Sequence, residues 1–293
     1  MGKFDGVLIA SDFDNTVVYT EGALRAGTEQ PPVSQTNREA IEYFMAQGGI
    51  FSIATGRALP AFAPLADKIP MNGPTVLFNG AAIYDFSADR YLRTAFLPES
   101  IRGHVHEVQA VFPDLAFEIY HDDNSIQAVN PNAITRSHQH LTHSPTVTIS
   151  DIDEAPSPIA KVLLEEEPAC LARVAEFIRS QPWADTYEVV LSADCLMEIT
   201  AHGANKGGMV ACLASDLGIG RENVYCVGDH NNDIPMLEFA HVGFAPQNAI
   251  ESVHQVPGVH ILPNCWEDAI AAMIAELDGL YGTDVKQMAN NFS

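Results

Sequence analysis

Basic residues are scarce in this chain: 15 Lys and Arg stand against 38 Asp and Glu, for a formal net charge of -23. Nucleic-acid backbones are held by clustered cations that release counterions, so no nucleic-acid partner is expected. Cysteine is also sparse. The five residues Cys170, Cys195, Cys212, Cys226 and Cys265 form no CxxC pair of the zinc or redox kind, which suits a reducing, cytoplasmic setting. No apolar run approaches the ~18 residues of a membrane span. The stretch Met1 to Gly6 has neither the basic region nor the cleavage pattern of an export signal, so no membrane association is expected. A GxGxxG turn after the first strand is missing, which disfavours a dinucleotide-dependent dehydrogenase.

What is present is enough apolar material for a sizeable core: 47% of 293 residues are hydrophobic, and that length favours two medium domains over one. Gly6 to Ser11 is a short apolar run that stops at Asp12, as a buried parallel strand does. After a Pro/Gly-containing loop, Thr36 opens an amphipathic helix closed by Gly48-Gly49. Strands at Ile50 to Ala54 and Thr75 to Phe78 follow, with a helix from near Arg57 between them. The alternation resumes late in the chain. A helix from Lys206 to Leu217, a strand at Val224 to Val227, a helix over Asn232 to Phe239, a strand at Val242 to Phe244 and a helix from about Trp266 to Leu277 are expected. The expected class is therefore α/β, with a doubly wound parallel (Rossmann-like) sheet as core. Residues 85–199 have a different texture, with alternating runs such as Phe117 to Tyr120 and Ile159 to Leu164, and read as an inserted α+β domain. The core, residues 1–84 and 200–293, is then discontinuous.

Open parallel sheets bind ligands beyond the carboxyl ends of their strands. Four such ends here carry polar residues: Asp12-Phe13-Asp14-Asn15-Thr16, Thr55-Gly56-Arg57, Asn79-Gly80, and Gly228-Asp229-His230-Asn231-Asn232-Asp233, with Lys206 opening a helix nearby in sequence. Taken alone, Asp12 and Asp14 read equally well as a turn or helix cap. Two acidic clusters at strand ends repel one another, however, and an oxygen-loving cation such as Mg2+ is the economical way to gather them.

Together these residues resemble the haloacid dehalogenase (HAD) superfamily, and the insertion resembles the caps of its Cof-type (type IIB) hydrolases. DFDNT is similar to the first motif, SIATGR to the second, ANKGGMV to the third and VGDHNNDIPML to the fourth. The resemblance implies a Mg2+-dependent phosphomonoesterase acting on a small phosphorylated metabolite, with sugar phosphates favoured and phosphorylated cofactors next. It implies Asp12 as nucleophile through an aspartyl phosphate, Asp14 as acid and base, and Thr55 and Lys206 as further catalytic groups. Gly56, Arg57, Asn79, Gly80 and Asn232 are implied to border or hold the phosphate. The metal is implied to rest on Asp12, Asp14 through its backbone carbonyl, Asp229 and Asp233. Arg57 reads equally as a partner of a surface acid. Asn15 stands where many relatives carry Gly, and Asn tolerates the left-handed backbone such a turn needs.

Two other readings stay open: a phosphomutase or phosphotransferase using the same nucleophile, and a non-catalytic phosphometabolite sensor. The oligomeric state has no signature in the sequence. Arg136 to His143, with His138, His140 and His143, reads as a polar loop, with a metal site as the alternative. Tyr120 to Asn124 reads as a solvated loop and Glu165-Glu166-Glu167 as an exposed turn after a strand. The long segment from Tyr19 to Pro32 has no evident role.

Overall fold

The structure is a computed structural model that describes residues 2–122, 125–142 and 146–290. The chain divides into two compact units, one of Met1–Thr55, Ala66–Thr75 and Val210–Ser293, the other of Gly56–Leu65 and Val76–Met209. Among the described residues no helix is long and apolar enough to cross a membrane.

The first unit is built on a five-stranded sheet in the order His260–Leu262, Val242–Pro246, Val224–Val227, Leu8–Ser11 and Ile50–Ile53. Every pairing in it is parallel. Leu8–Ser11 and Val224–Val227 are buried along their whole length, which is why their sequences are nearly continuous apolar runs rather than alternating ones. Ser11 is level with Ile53 on one side and with Val227 on the other. The residues that follow these three strands therefore leave the sheet at one carboxyl edge. The helix Gln35–Ala46 is capped by the Ser34 hydroxyl, which accepts the Asn37 amide at 3.1 Å, and buries Ile41 and Phe44. Against it lies the final helix, Ala269–Asn290, whose Ala271 amide donates to Asn37 Oδ1 at 2.9 Å. That helix starts three residues later than the expected Trp266. An Asn264–Glu267 capping box closes a separate turn there, and Asp268 at φ 63° breaks the backbone between the two.

In the second unit a six-stranded sheet runs in the order Tyr187–Ala193, Leu196–Ala201, Ile159–Glu165, Ala116–His121, Ile126–Val129 and Thr146–Thr148. It is antiparallel except for its last pairing. Side chains alternate between its faces. Phe117, Ile119, Val162, Leu164, Met197 and Ile199 form a core with Val105 and Val108 of helix Ile101–Val111 and with Leu171, Val174 and Ile178 of helix Pro168–Arg179. The other parity holds Glu118, Tyr120, Lys161, Glu165 and Glu198, all buried.

Three expectations are corrected here. Arg136 to Thr142 is not a loop but lies in the helix Ala133–Thr142, which opens where Asn132 Oδ1 accepts the Thr135 amide at 2.9 Å. Glu165 is not in an exposed turn; it ends a strand and is fully buried. Tyr120 and His121 belong to a buried strand rather than to a solvated loop. Within Tyr19 to Pro32 the structure has a helix, Thr20–Ala26, ended by Gly27 at φ 62°. His143, Asp123 and Asn124 lie outside the described residues.

Candidate active site

Three carboxylates, Asp12, Asp229 and Asp233, converge at the carboxyl edge of the parallel sheet, with ligand oxygens all within 4.8 Å of one another. Each is at least nine-tenths buried. Asp12 is fixed by its amide, which donates to the Val227 carbonyl at 2.9 Å and so continues the sheet ladder one residue past the strand. Asp233 spends one oxygen on the backbone, Oδ2 accepting the amides of Asp229 at 2.8 Å and His230 at 3.0 Å. A side chain at Gly228 would stand 2.4 Å from the Asp233 carboxyl carbon, so only glycine lets this loop fold so tightly onto its own acid. Asp229 accepts the Thr16 hydroxyl on Oδ1 at 3.1 Å, while its carbonyl takes the Ile250 amide at 3.0 Å.

The first loop is held just as closely. Asn15 adopts φ 57°, the left-handed turn foreseen for it, and its carbonyl accepts the Asn248 amide at 2.8 Å. Asp14 accepts the Thr20 hydroxyl on Oδ1 at 2.6 Å. The extra helix Thr20–Ala26 thus delivers a hydroxyl to Asp14, and Tyr19 anchors its start by packing on Trp266 with ring centroids 4.3 Å apart. The converging carboxylates are Asp12, Asp229 and Asp233; the Asp14 side chain is not among them. Local charge is negative: burial and then the Asp229 charge push the Cys265 thiol up to about 12, and burial with Asp233 raises Cys226 as well. Thr55, at the end of the neighbouring strand, is buried in the same unit, as is Asn232.

The remaining sequence-derived residues belong to the second unit. Gly56 lies against Asn79, whose amide nitrogen would be 2.9 Å from a Cβ at position 56. Asn79 and Gly80 take φ of 55° and 106°, and a Cβ on Gly80 would meet the Asn205 backbone at 2.3 Å. Arg57 accepts the Phe78 amide on its carbonyl at 3.0 Å. Lys206 is 1% exposed and opens the helix Lys206–Asp216, whose first turn is capped by Asn205 Oδ1 accepting the Gly208 amide at 2.8 Å. Gly56, Asn79, Gly80 and the Asn205-Lys206 corner are thereby drawn together. Sequence reasoning passed over Lys161, which donates to the Gly56 carbonyl at 3.2 Å and pairs with Glu198 at 2.8 Å. Its one signal was a lysine in the middle of the apolar run IAKVLL. Asn248 carried no signal at all.

The three converging ligand atoms are carboxylate oxygens, the kind that suits a hard divalent cation, and such a cation would offset their repulsion. The sequence profile of the haloacid dehalogenase-like hydrolases matches residues 9–274. The 5-amino-6-(5-phospho-D-ribitylamino)uracil phosphatase YitU of Bacillus subtilis is 27% identical over 289 residues, spanning 92% of this chain and 96% of that protein. The pyridoxal phosphate phosphatase YbhA of Escherichia coli is 24% identical over 287 residues, spanning 91% and 97%. A solved HAD subclass IIB sugar phosphatase shares the fold with a TM-score of 0.77 at 20% identity, covering 92% of this chain and 98% of its own. The chain belongs to the haloacid dehalogenase-like hydrolases and is a phosphatase, a phosphoric monoester hydrolase, on the subclass IIB fold.

Proposed function

We propose that this protein hydrolyses a small phosphorylated metabolite, a sugar phosphate before a phosphorylated cofactor, through an aspartyl phosphate on Asp12 and with Mg2+ as cofactor. The observation that carries the reading is the convergence of Asp12, Asp229 and Asp233 at one sheet edge. These side chains, with the Asp14 carbonyl, are the groups that would hold Mg2+. When bound it supplies charge neutralisation between a carboxylate nucleophile and an anionic phosphoryl group.

An Asp12 oxygen attacks phosphorus as the ester P–O bond breaks, giving an acyl phosphate and an alkoxide. Asp14, oriented by Thr20, gives that alkoxide its proton. The Asp14 carboxylate then takes a proton from water, whose oxygen attacks phosphorus and releases Asp12 and inorganic phosphate. Thr55, Gly56, Asn232 and Lys206 are proposed as the groups that hold phosphate oxygens and balance their charge, an assignment that rests on the motifs. Arg57, Asn79 and Gly80 border them in the same reading. Residues 85–199 are proposed as a substrate-selecting cap and residues 1–84 with 200–293 as the catalytic core, in a cytoplasmic enzyme.

The test is phosphate release from a panel of sugar phosphates and phosphorylated cofactors, with Mg2+ or EDTA, for wild type and Asp12→Asn. Release should need Mg2+ and should fall at least about 10^3-fold in the variant. Mg2+-independent release, or release that survives Asp12→Asn, would sink the mechanism. Transfer of the phosphoryl group to a second hydroxyl instead of water would identify a mutase.

A further inference from the structure

The polar face of the six-stranded sheet holds another convergence of ligand-type atoms, one that shares no residue with the acidic cluster above. Glu118, within Ala116–His121, and Glu165, ending Ile159–Glu165, are 1% and 0% exposed. His138 enters from helix Ala133–Thr142, its Nδ1 3.2 Å from Glu118 Oε2 and 3.0 Å from Glu165 Oε1. The three ligand atoms lie within 4.8 Å of one another.

The two carboxylates differ in how they are served. Glu118 accepts the Tyr120 hydroxyl at 2.6 Å, the Gln139 amide at 2.8 Å and the His138 ring nitrogen. Glu165 is served less fully: its Oε1 pairs with the same ring nitrogen at 3.0 Å, with the Thr135 hydroxyl as a further donor. One Nδ1 carries at most one proton, which Glu118 and Glu165 have to share. Two buried carboxylates that share one imidazole proton repel each other, and a divalent cation would offset that repulsion more fully. The separations suit one. Ligands about 2.0–2.1 Å from a tetrahedral zinc stand about 3.3 Å apart, close to the two spacings here. An imidazole nitrogen with two carboxylate oxygens matches a zinc-class ion, whereas Mg2+ takes oxygen alone.

We propose that Glu118, His138 and Glu165 bind a zinc-class divalent ion inside the second unit, where it pins helix Ala133–Thr142 to two strands of the sheet. His140 of the same helix is exposed and takes no part.

The experiment uses the full chain carrying Asp229→Asn, which weakens the acidic cluster, stripped with chelator and titrated with Zn2+ by calorimetry and with Co2+ by visible absorption. One equivalent of Zn2+ should remain, and bound Co2+ should show the spectrum of a low-coordinate nitrogen and oxygen site. Adding Glu165→Gln should weaken both ions at least about 100-fold. That substitution keeps the side-chain shape and removes one of two adjacent buried charges, so the chain is expected to fold; His138→Gln, on the helix, is the second test, with circular dichroism confirming the fold of each. No binding by the folded parent overturns the proposal and leaves a protonated His138 between two carboxylates. Binding unchanged in both folded variants overturns it as well, placing the ion elsewhere.

Discussion

Cys226 and Cys265 show at the scale of single residues how the acidic cluster marks its surroundings. Both are buried, and the charges of Asp233 and Asp229 add to burial in raising their thiols. With Cys265 near 12, only about one molecule in 10^4 carries a thiolate at pH 8. Iodoacetamide at that pH should leave both unmodified in the native protein and alkylate both in urea, read by peptide mass spectrometry. Equal labelling in the two states would mean that the cluster is neither closed nor acidic. The residues of the cluster were legible in the sequence because polar groups at the ends of apolar runs stand out and recur in motif order. Their supports were not. Thr20 on Asp14 and Asn248 on the Asn15 carbonyl are ordinary polar residues in ordinary segments until the chain folds.

Helices and turns show a similar division. Helix Gln35–Ala46 was legible from its apolar stripe, while its Ser34 cap came from the structure. Helix Ala133–Thr142 was not, because its inward stripe of Thr135, His138, Gln139 and Thr142 is polar and gives hydrophobic periodicity nothing to register. Two glycines make opposite predictions at this scale. Gly80→Ala places a methyl group 2.3 Å from the Asn205 backbone at φ 106°, and should cost on the order of 3 kcal/mol and lower activity. Gly103→Ala, in helix Ile101–Val111 with nothing within 4 Å of the new methyl, should stabilise by about 0.5–1 kcal/mol. Urea unfolding of the two variants checks both signs. A neutral Gly80→Ala would contradict the close turn at Asn79-Gly80.

Across the whole molecule, the net charge of -23 makes self-repulsion a property of the folded chain. Raising NaCl from about 0.01 to 0.15 M shortens the screening length from about 30 to 8 Å, so the melting temperature should rise. A fall would show that specific ion pairs outweigh the general repulsion. The sequence by itself determined the class of the fold and the order of its chemical groups, since each buried parallel strand is an apolar run whose end fixes where polar residues emerge. It also determined the left-handed turn at Asn15. Only the tertiary structure decided which groups meet. Strand register alone makes Asp12 and Asp229 neighbours, and it brings Thr16 onto an acid 213 positions away. Likewise, alternation across an antiparallel sheet and a polar helix stripe gathers Glu118, His138 and Glu165, because burial of polar groups follows from pairing between distant segments and leaves no local hydrophobic trace.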